Sequence, residues 1–336
     1  YSDFVSLFVS QNKDLYEDLK SARIDNFRKV EELKESSPYR KWMLGNMYLQ
    51  WAVLKIMFGD YISAALDFNR AYNLIEDNTK KHPEFQLNNL SVSVLKIIIG
   101  LIPEQYEWFL NLLSMEGDVE QGKLQLHSFL SECKSDSTCS PFFYEALFYA
   151  SFIEMNIQPS DNKLNTYKEE VEQIDDSVLL ITYIRLNLYM RTGDNQKALD
   201  LFNELNMNKK GTFPFTYLNY LHAECRLRAQ DWKGALTTYD FFLDNFKGKN
   251  YIKYAWRKKA WVAIMLEDTA LYYHCMDKVI ASGLSKIDLD KAALAEAKTR
   301  QILKKELLLS QILFDGGYYI DALNVLTSID TINYLN

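Results

Sequence analysis

Two apolar helical patterns meet at a Gly-Asp pair in WMLGNMYLQWAVLKIMFGDYISAALDFNRAY, residues 42–72. Gly59 suits the left-handed backbone conformation that ends a helix, and Asp60 can cap the helix that follows. Ala64 comes five positions after Gly59, and apolar residues then continue at the spacing of an amphipathic helix. A small residue at this position lets the second helix cross the first closely. The segment therefore predicts a helical hairpin.

The same arrangement recurs along the chain. A turn residue is followed five positions later by a small residue in the pairs Gly59/Ala64, Gly117/Gly122, Gly193/Ala198, Gln230/Ala235 and Gly317/Ala322, and in degenerate form in Glu267/Tyr272. The steps from 193 to 230 and from 230 to 267 are both 37 residues. Periods of roughly 34–47 residues are typical of helix-turn-helix arrays. The sequence predicts an all-α fold, a helical-repeat solenoid of about sixteen helices in antiparallel pairs.

The segments WMLGNMYLQW and GDYISAALDFNRAY resemble the tetratricopeptide-repeat (TPR) superfamily, with its Trp-Leu-Gly-Tyr and Ala-Phe-Ala pattern. Gly45 and Gly59 are 14 residues apart where the family has 7, so the first helix is about two turns longer. The block GLIPEQYEWFLNLLSMEGDVEQGKLQL, in which Pro103 would open a helix, resembles a eukaryotic TPR subfamily of the mitochondrial outer membrane and inclusion clearance. Both resemblances imply an αα superhelix with a scaffold role.

The pattern divides into two regions. Residues 1–176 contain long-helix and degenerate TPR-like repeats, and residues 177–336 contain the regular ones. Because helical repeats grow in one dimension, we expect the two regions to form one continuous solenoid.

Composition and motifs exclude several classes of function. The net charge is −7, so no basic footprint for nucleic acid exists, and no apolar run reaches the roughly 18 residues of a transmembrane segment. Gly-rich phosphate loops and His-Glu-x-x-His are absent. His222 and Cys225 share a helix face, but such residues are more often packed in a core than bound to zinc. We expect no catalytic residue, no metal site and no cofactor, and hence no enzyme.

The best binding candidates lie on the first helices of the pairs. Lys253 and Arg257 are one helical turn apart with Trp256 beside them, so both cations could reach a carboxylate. Asn46 and Gln50 form a polar seam on an otherwise apolar helix. Some TPR domains clamp a peptide carboxylate with a Lys/Arg pair and Asn, and Asn46 follows Gly45 as in that clamp. A solvated basic face is the alternative for the cations.

The leading functional prediction is a non-catalytic scaffold that binds a protein or peptide on the concave face of the repeat array. The alternative is an exported carbohydrate- or small-ligand-binding helical-repeat protein, because the chain has 22 tyrosines and 6 tryptophans. A continuous aromatic groove would favour the first, and a single deep pocket the second.

Cys133 and Cys139 bracket a polar loop at a spacing that permits a local disulfide, and two unpaired thiols are the alternative. This pair, together with a chain that begins at Tyr1 instead of Met, favours an exported or periplasmic protein over a cytoplasmic one.

Overall fold

A computed structural model describes residues 1–102, 115–175, 178–205 and 215–329. Within these ranges the chain forms seventeen α-helices and no strand, which confirms the all-α prediction. None of the described helices is both long and apolar enough to cross a bilayer. The chain divides into two compact units, Tyr1–Lys163 and Leu164–Asn336. The sequence-based division was placed at 176/177 instead.

The first unit consists of long helices. They are α1 Ser2–Ser10, α2 Lys13–Glu31, α3 Pro38–Phe58, α4 Tyr61–Lys81, α5 Leu87–Gly100, α6 Val119–Cys133 and α7 Phe143–Asn156, with α8 Asp161–Glu172 running across the unit boundary. The α3–α4 and α5–α6 pairs form its most extensive helix contacts. Side chains of α1, α2 and α3 make an aromatic core that includes Phe4, Tyr16, Phe27 and Trp51.

The second unit consists of shorter helices. They are α9 Leu179–Arg191, α10 Asn195–Glu204, α11 Tyr217–Arg228, α12 Trp232–Asn245, α13 Ile252–Met265, α14 Thr269–Ala281, α15 Asp288–Thr299, α16 Lys305–Asp315 and α17 Tyr319–Thr327. The pairs α9–α10, α11–α12, α13–α14 and α16–α17 are each joined by three residues, so their helices run antiparallel.

Five of the predicted turns share one backbone geometry. Each has a left-handed residue at the predicted position: Gly59, Gly193, Gln230, Glu267 and Gly317. The next residue in each turn donates its N–H to the carbonyl five positions back, for example Asp60 to Lys55 at 2.8 Å and Asp231 to Arg226 at 2.9 Å. This bond satisfies a carbonyl that the end of the helix leaves free.

The sixth predicted turn differs. Gly117 lies before α6 without a left-handed φ and packs against α5, since a Cβ there would come 2.3 Å from the backbone nitrogen of Gly100. The helix that the sequence predicts to begin at Pro103 falls in residues 103–114, outside the described ranges.

The predicted Asp caps are only partly present. Asp118, Asp231 and Asp268 each accept a hydrogen bond from a backbone N–H in the first turn of α6, α12 and α14. Asp60 and Asp194 do not, because ion pairs with Lys20 and Lys168 hold their carboxylates instead. A tertiary partner therefore replaces the local cap at two of the five positions.

The small position after each turn is buried, as predicted. Ala64, Ala198, Ala235 and Ala322 are at most 3% exposed. At Gly122 the helices α5 and α6 approach too closely for a larger residue, because a Cβ there would lie 2.8 Å from the carbonyl oxygen of Ser93 on α5. These contacts set the register in which the second helix of each pair packs on the first.

Helix α13 lies at the centre of the second unit. It contacts α12, α14, α15 and α16, and α16 also contacts α11. Eleven of its fourteen residues are buried. The turn before α17 touches the turn before α10, where Gly317 meets the backbone of Gly193 and Asn195 bonds the Tyr318 hydroxyl at 3.3 Å. Helix α16 thus covers faces of α11 and α13 that an open array would leave to a partner.

Candidate functional site

The side chain of Lys253 caps a neighbouring helix. It is 4% exposed, and its Nζ donates to the carbonyl oxygens of Val279 at 2.7 Å and Ile280 at 3.3 Å, in the last turn of α14. A cation at this position satisfies carbonyls that the helix end leaves free and interacts favourably with the helix dipole. The predicted exposed face shared by Lys253 and Arg257 is therefore not formed, since Lys253 points into the helix packing.

Arg257 is also paired within the fold. Its guanidinium lies 3.7 Å from a Glu296 carboxylate oxygen and stacks over Tyr254 and Trp261, at 4.6 and 4.8 Å from the ring centroids. Trp256 is partly exposed and has the Lys259 ammonium 4.5 Å from its ring centroid. The arrangement stabilises α13 against its neighbours and does not resemble an open carboxylate clamp.

A buried cation that the sequence did not single out lies next to Arg257. The Lys258 ammonium is 3.7 Å from the Trp261 ring centroid and 3.9 Å from a Glu224 carboxylate oxygen. Burial lowers the pKa of Lys258 to about 8, against the opposing effect of Glu224. The Tyr239 hydroxyl donates to the same carboxylate. Three consecutive cations, residues 257–259, between apolar stretches of one helix were the available sequence signal for this internal network.

Asn46 and Gln50 lie together in the first unit, on the wall of an apolar cavity of about 240 Å³. The cavity is partly open and is lined by side chains of α1, α3, α5 and α7. Most are apolar: Phe4, Phe8, Leu49, Val53, Leu90, Val94, Ile97, Ile98, Leu101, Phe148, Phe152, Ile153 and Ile157. The polar seam predicted on α3 therefore lines this cavity between α1, α3, α5 and α7.

Two hydrogen-bonded pairs form the polar part of this wall. Ser91 donates its hydroxyl to Asn46 Oδ1 at 3.0 Å, and Gln50 hydrogen bonds Tyr149. The Tyr149 hydroxyl donates to Glu145 Oε1 at 2.8 Å. Burial raises the pKa of the Glu145 carboxyl and, more strongly, that of Tyr149. Such an apolar cavity with a few convergent polar groups has the character of a small-molecule site.

An exposed apolar groove runs between α16 and α17. Its volume is about 680 Å³, and its lining includes Ser310, Gln311 and mostly apolar side chains. Six large apolar residues on this pair are 44–77% exposed: Leu307, Phe314, Tyr319, Ile320, Leu323 and Leu326. Contiguous exposed apolar surface of this kind marks interaction sites in soluble proteins. The sequence signal was YYIDALNVL, residues 318–326, which is apolar on more than one helix face.

Cys133 and Cys139 are free thiols in the structure, and both are buried. They hydrogen bond each other, and burial raises the pKa of Cys133 to about 12. A thiol with so high a pKa forms little thiolate near neutral pH, so it reacts slowly.

His222 is packed in the second unit. It stacks on Phe202 with ring centroids 4.5 Å apart, and its Nε2 accepts a hydrogen bond from Arg226 at 3.0 Å. Burial lowers the pKa of His222 to about 4. Within the described ranges no three His, Cys, Asp or Glu side chains are grouped to hold a metal ion.

No protein-family model, curated protein or solved structure matches the chain. The resemblance to the TPR superfamily therefore rests on the sequence motifs alone.

Proposed function

We propose that this chain is a non-catalytic scaffold of TPR-like helical hairpins, and that it binds the apolar face of a partner protein's helix in the groove between α16 and α17. The repeated left-handed turn, each with the same backbone bond, supports the assignment to a helical-repeat class. The exposed apolar surface of α16 and α17 carries the binding proposal.

Comparison of equivalent positions shows what this face would be in an inner hairpin. Counted from the left-handed residue, Leu307, Phe314 and Leu326 correspond to Tyr220, Leu227 and Tyr239 of the α11–α12 pair. The last three are at most 5% exposed, whereas the first three are 44–60% exposed.

A helix covers the inner pair. Helix α13 packs on α12, and its Tyr254 ring lies 6.2 Å from the ring of Tyr220 on α11. The same positions in α16–α17 therefore have the form of a surface that receives a helix, and an amphipathic helix is the occupant that fits it.

The apolar character of the last pair goes beyond these shared positions. Ile320 is 77% exposed where the other three pairs of the second unit have Gln196, Lys233 and Ala270, whereas the α3–α4 pair of the first unit has the exposed Ile62. No charged side chain is among the described residues that line the groove. Covering six side chains that are each about half exposed would contribute roughly 5–10 kcal/mol before the cost of association.

Site-specific photo-crosslinking tests the proposal. A benzophenone amino acid replaces Ile320, an exposed residue of α17 next to the groove-lining Tyr319, or Leu124, which is 67% exposed on α6 of the other unit. In a lysate of the source cells, we expect a discrete protein adduct from position 320 and none from position 124. The crosslinked segment of that protein, made as a peptide, should bind the purified chain and gain helix in circular dichroism.

Two outcomes would contradict the proposal. Equal adducts from both positions would show that capture does not depend on the groove. An adduct between two copies of this chain, with no other protein, would make self-association the role of the groove instead.

A further inference from the structure

The cavity of the first unit has a mostly apolar wall with one polar part. Side chains from four helices line a partly open space of about 240 Å³, and buried apolar residues such as Leu49, Leu90, Val94 and Phe148 form most of the wall. A cavity of about 150 Å³ whose wall is purely apolar stays free of water and takes up benzene or xenon. This one is larger, and one part of its wall is polar.

The polar wall retains hydrogen-bonding capacity. A primary amide can take part in about four hydrogen bonds, two as donor and two as acceptor. Asn46 uses one donor for the Trp42 carbonyl at 2.8 Å and one acceptor for Ser91. Gln50 bonds Tyr149 from the same helix face, one turn along α3. A ligand group between the two amides would meet both a donor and an acceptor.

The electrostatics select against an anion. Among the described residues that line the cavity none is charged. Behind Tyr149, the Glu145 carboxyl accepts a hydrogen bond from the tyrosine hydroxyl, which places an acidic group near the polar wall. A carboxylate, phosphate or sulfate ligand would be placed close to this group, and among the described residues that line the cavity no cation offsets its loss of hydration.

We propose that this cavity binds a neutral, largely apolar small molecule with one hydroxyl or carbonyl group, which bonds to Asn46 and Gln50. Scaling from the benzene-binding cavity, about 240 Å³ holds roughly ten non-hydrogen atoms. A bicyclic aromatic alcohol or a medium-chain aliphatic alcohol has this size. The site is separate from the groove of α16 and α17, so neither proposal depends on the other.

A series of three matched probes tests the ligand class. 2-Naphthol has the size and the hydroxyl, naphthalene lacks the hydroxyl, and naphthalene-2-sulfonate carries an anion. In fluorescence titrations with the full chain we expect saturable one-to-one binding of 2-naphthol, about tenfold weaker binding of naphthalene, and no saturable binding of the sulfonate. Failure of 2-naphthol to saturate, or equal affinity for all three, would overturn the proposal.

Two variants locate the binding. Val94→Phe fills the cavity from α5 and should weaken the binding of 2-naphthol at least tenfold. Leu124→Phe, on the exposed face of α6, should leave that binding unchanged. Val53→Phe fills the same space from α3 and serves if Val94→Phe does not fold. Gln50→Leu should bring the affinity for 2-naphthol close to that for naphthalene. An affinity for 2-naphthol that neither Val94→Phe nor Val53→Phe changes would place the binding outside the cavity.

Discussion

Gly122 lies where α6 crosses α5, and replacement by alanine tests the packing register directly. A Cβ at this position would come 2.6 Å from Ile97 Cγ1, 2.8 Å from the carbonyl oxygen of Ser93 and 3.2 Å from the Ile97 nitrogen. Two of these atoms belong to the backbone of α5, so relief requires the helices to separate. Overpacking of this kind costs about 1–3 kcal/mol. The greater helix propensity of alanine offsets up to about 1 kcal/mol of this destabilisation.

We therefore expect Gly122→Ala to lower the free energy of unfolding by about 1–2 kcal/mol in urea titrations. Gly45→Ala on α3 is the matched control. Its Cβ would meet the Ile75 side chain at 2.6 Å, but the nearest backbone oxygen, of Ala71, is at 3.4 Å. Rotation of Ile75 can relieve that contact, so the control should stay within about 1 kcal/mol of the wild type. A Gly122→Ala protein as stable as the wild type would refute the register of α5 and α6.

Two further predictions concern the second unit. Lys253→Met should lower the free energy of unfolding by about 1–3 kcal/mol, because two carbonyls at the end of α14 lose their donor. Lys278→Met, an exposed lysine of the same helix end, should change it by less than about 0.5 kcal/mol, and equal urea midpoints for the two variants would contradict the capping role. The His222 pKa of about 4 lies below the unfolded value of 6.5, so the unfolded chain takes up the proton first and stability falls between pH 6.5 and pH 4. After a discount for the partly exposed ring this loss is about 1–2 kcal/mol, and it should be absent from His222→Phe when urea midpoints are measured across that range.

The hairpins could be predicted from sequence because their determinants are local. A left-handed residue, an acidic residue after it and a small residue five positions on encode the turn and the closest helix crossing, as at Gly193 and Ala198. Even Gln230 and Glu267, which have side chains at a left-handed position, were placed correctly by their spacing from Gly193. The periodicity of the sequence is sufficient to predict structure where a helix contacts only the helices next to it in sequence.

The candidate site could be predicted only in part, because burial in this fold depends on distant helices. The spacing of Lys253 and Arg257 shows that they share a side of α13, but not that α14 and α15 occupy it. Contacts of α16 with α11 and α13 likewise span segments far apart in sequence, and no local pattern encodes them. Asn46 and Gln50 were found because a polar seam on an apolar helix is visible in the sequence. The cavity that they face was not visible.

The most direct test of the protein-binding account is the affinity of the crosslinked partner peptide for a groove variant. Leu323 is 60% exposed, so Leu323→Lys should leave the melting temperature within a few degrees of the wild type. A lysine in the apolar groove would have to be desolvated beneath the bound helix, and one such buried charge costs more than about 1.4 kcal/mol. We therefore predict at least a tenfold rise in Kd by fluorescence anisotropy. An unchanged Kd in a folded Leu323→Lys protein would contradict binding between α16 and α17.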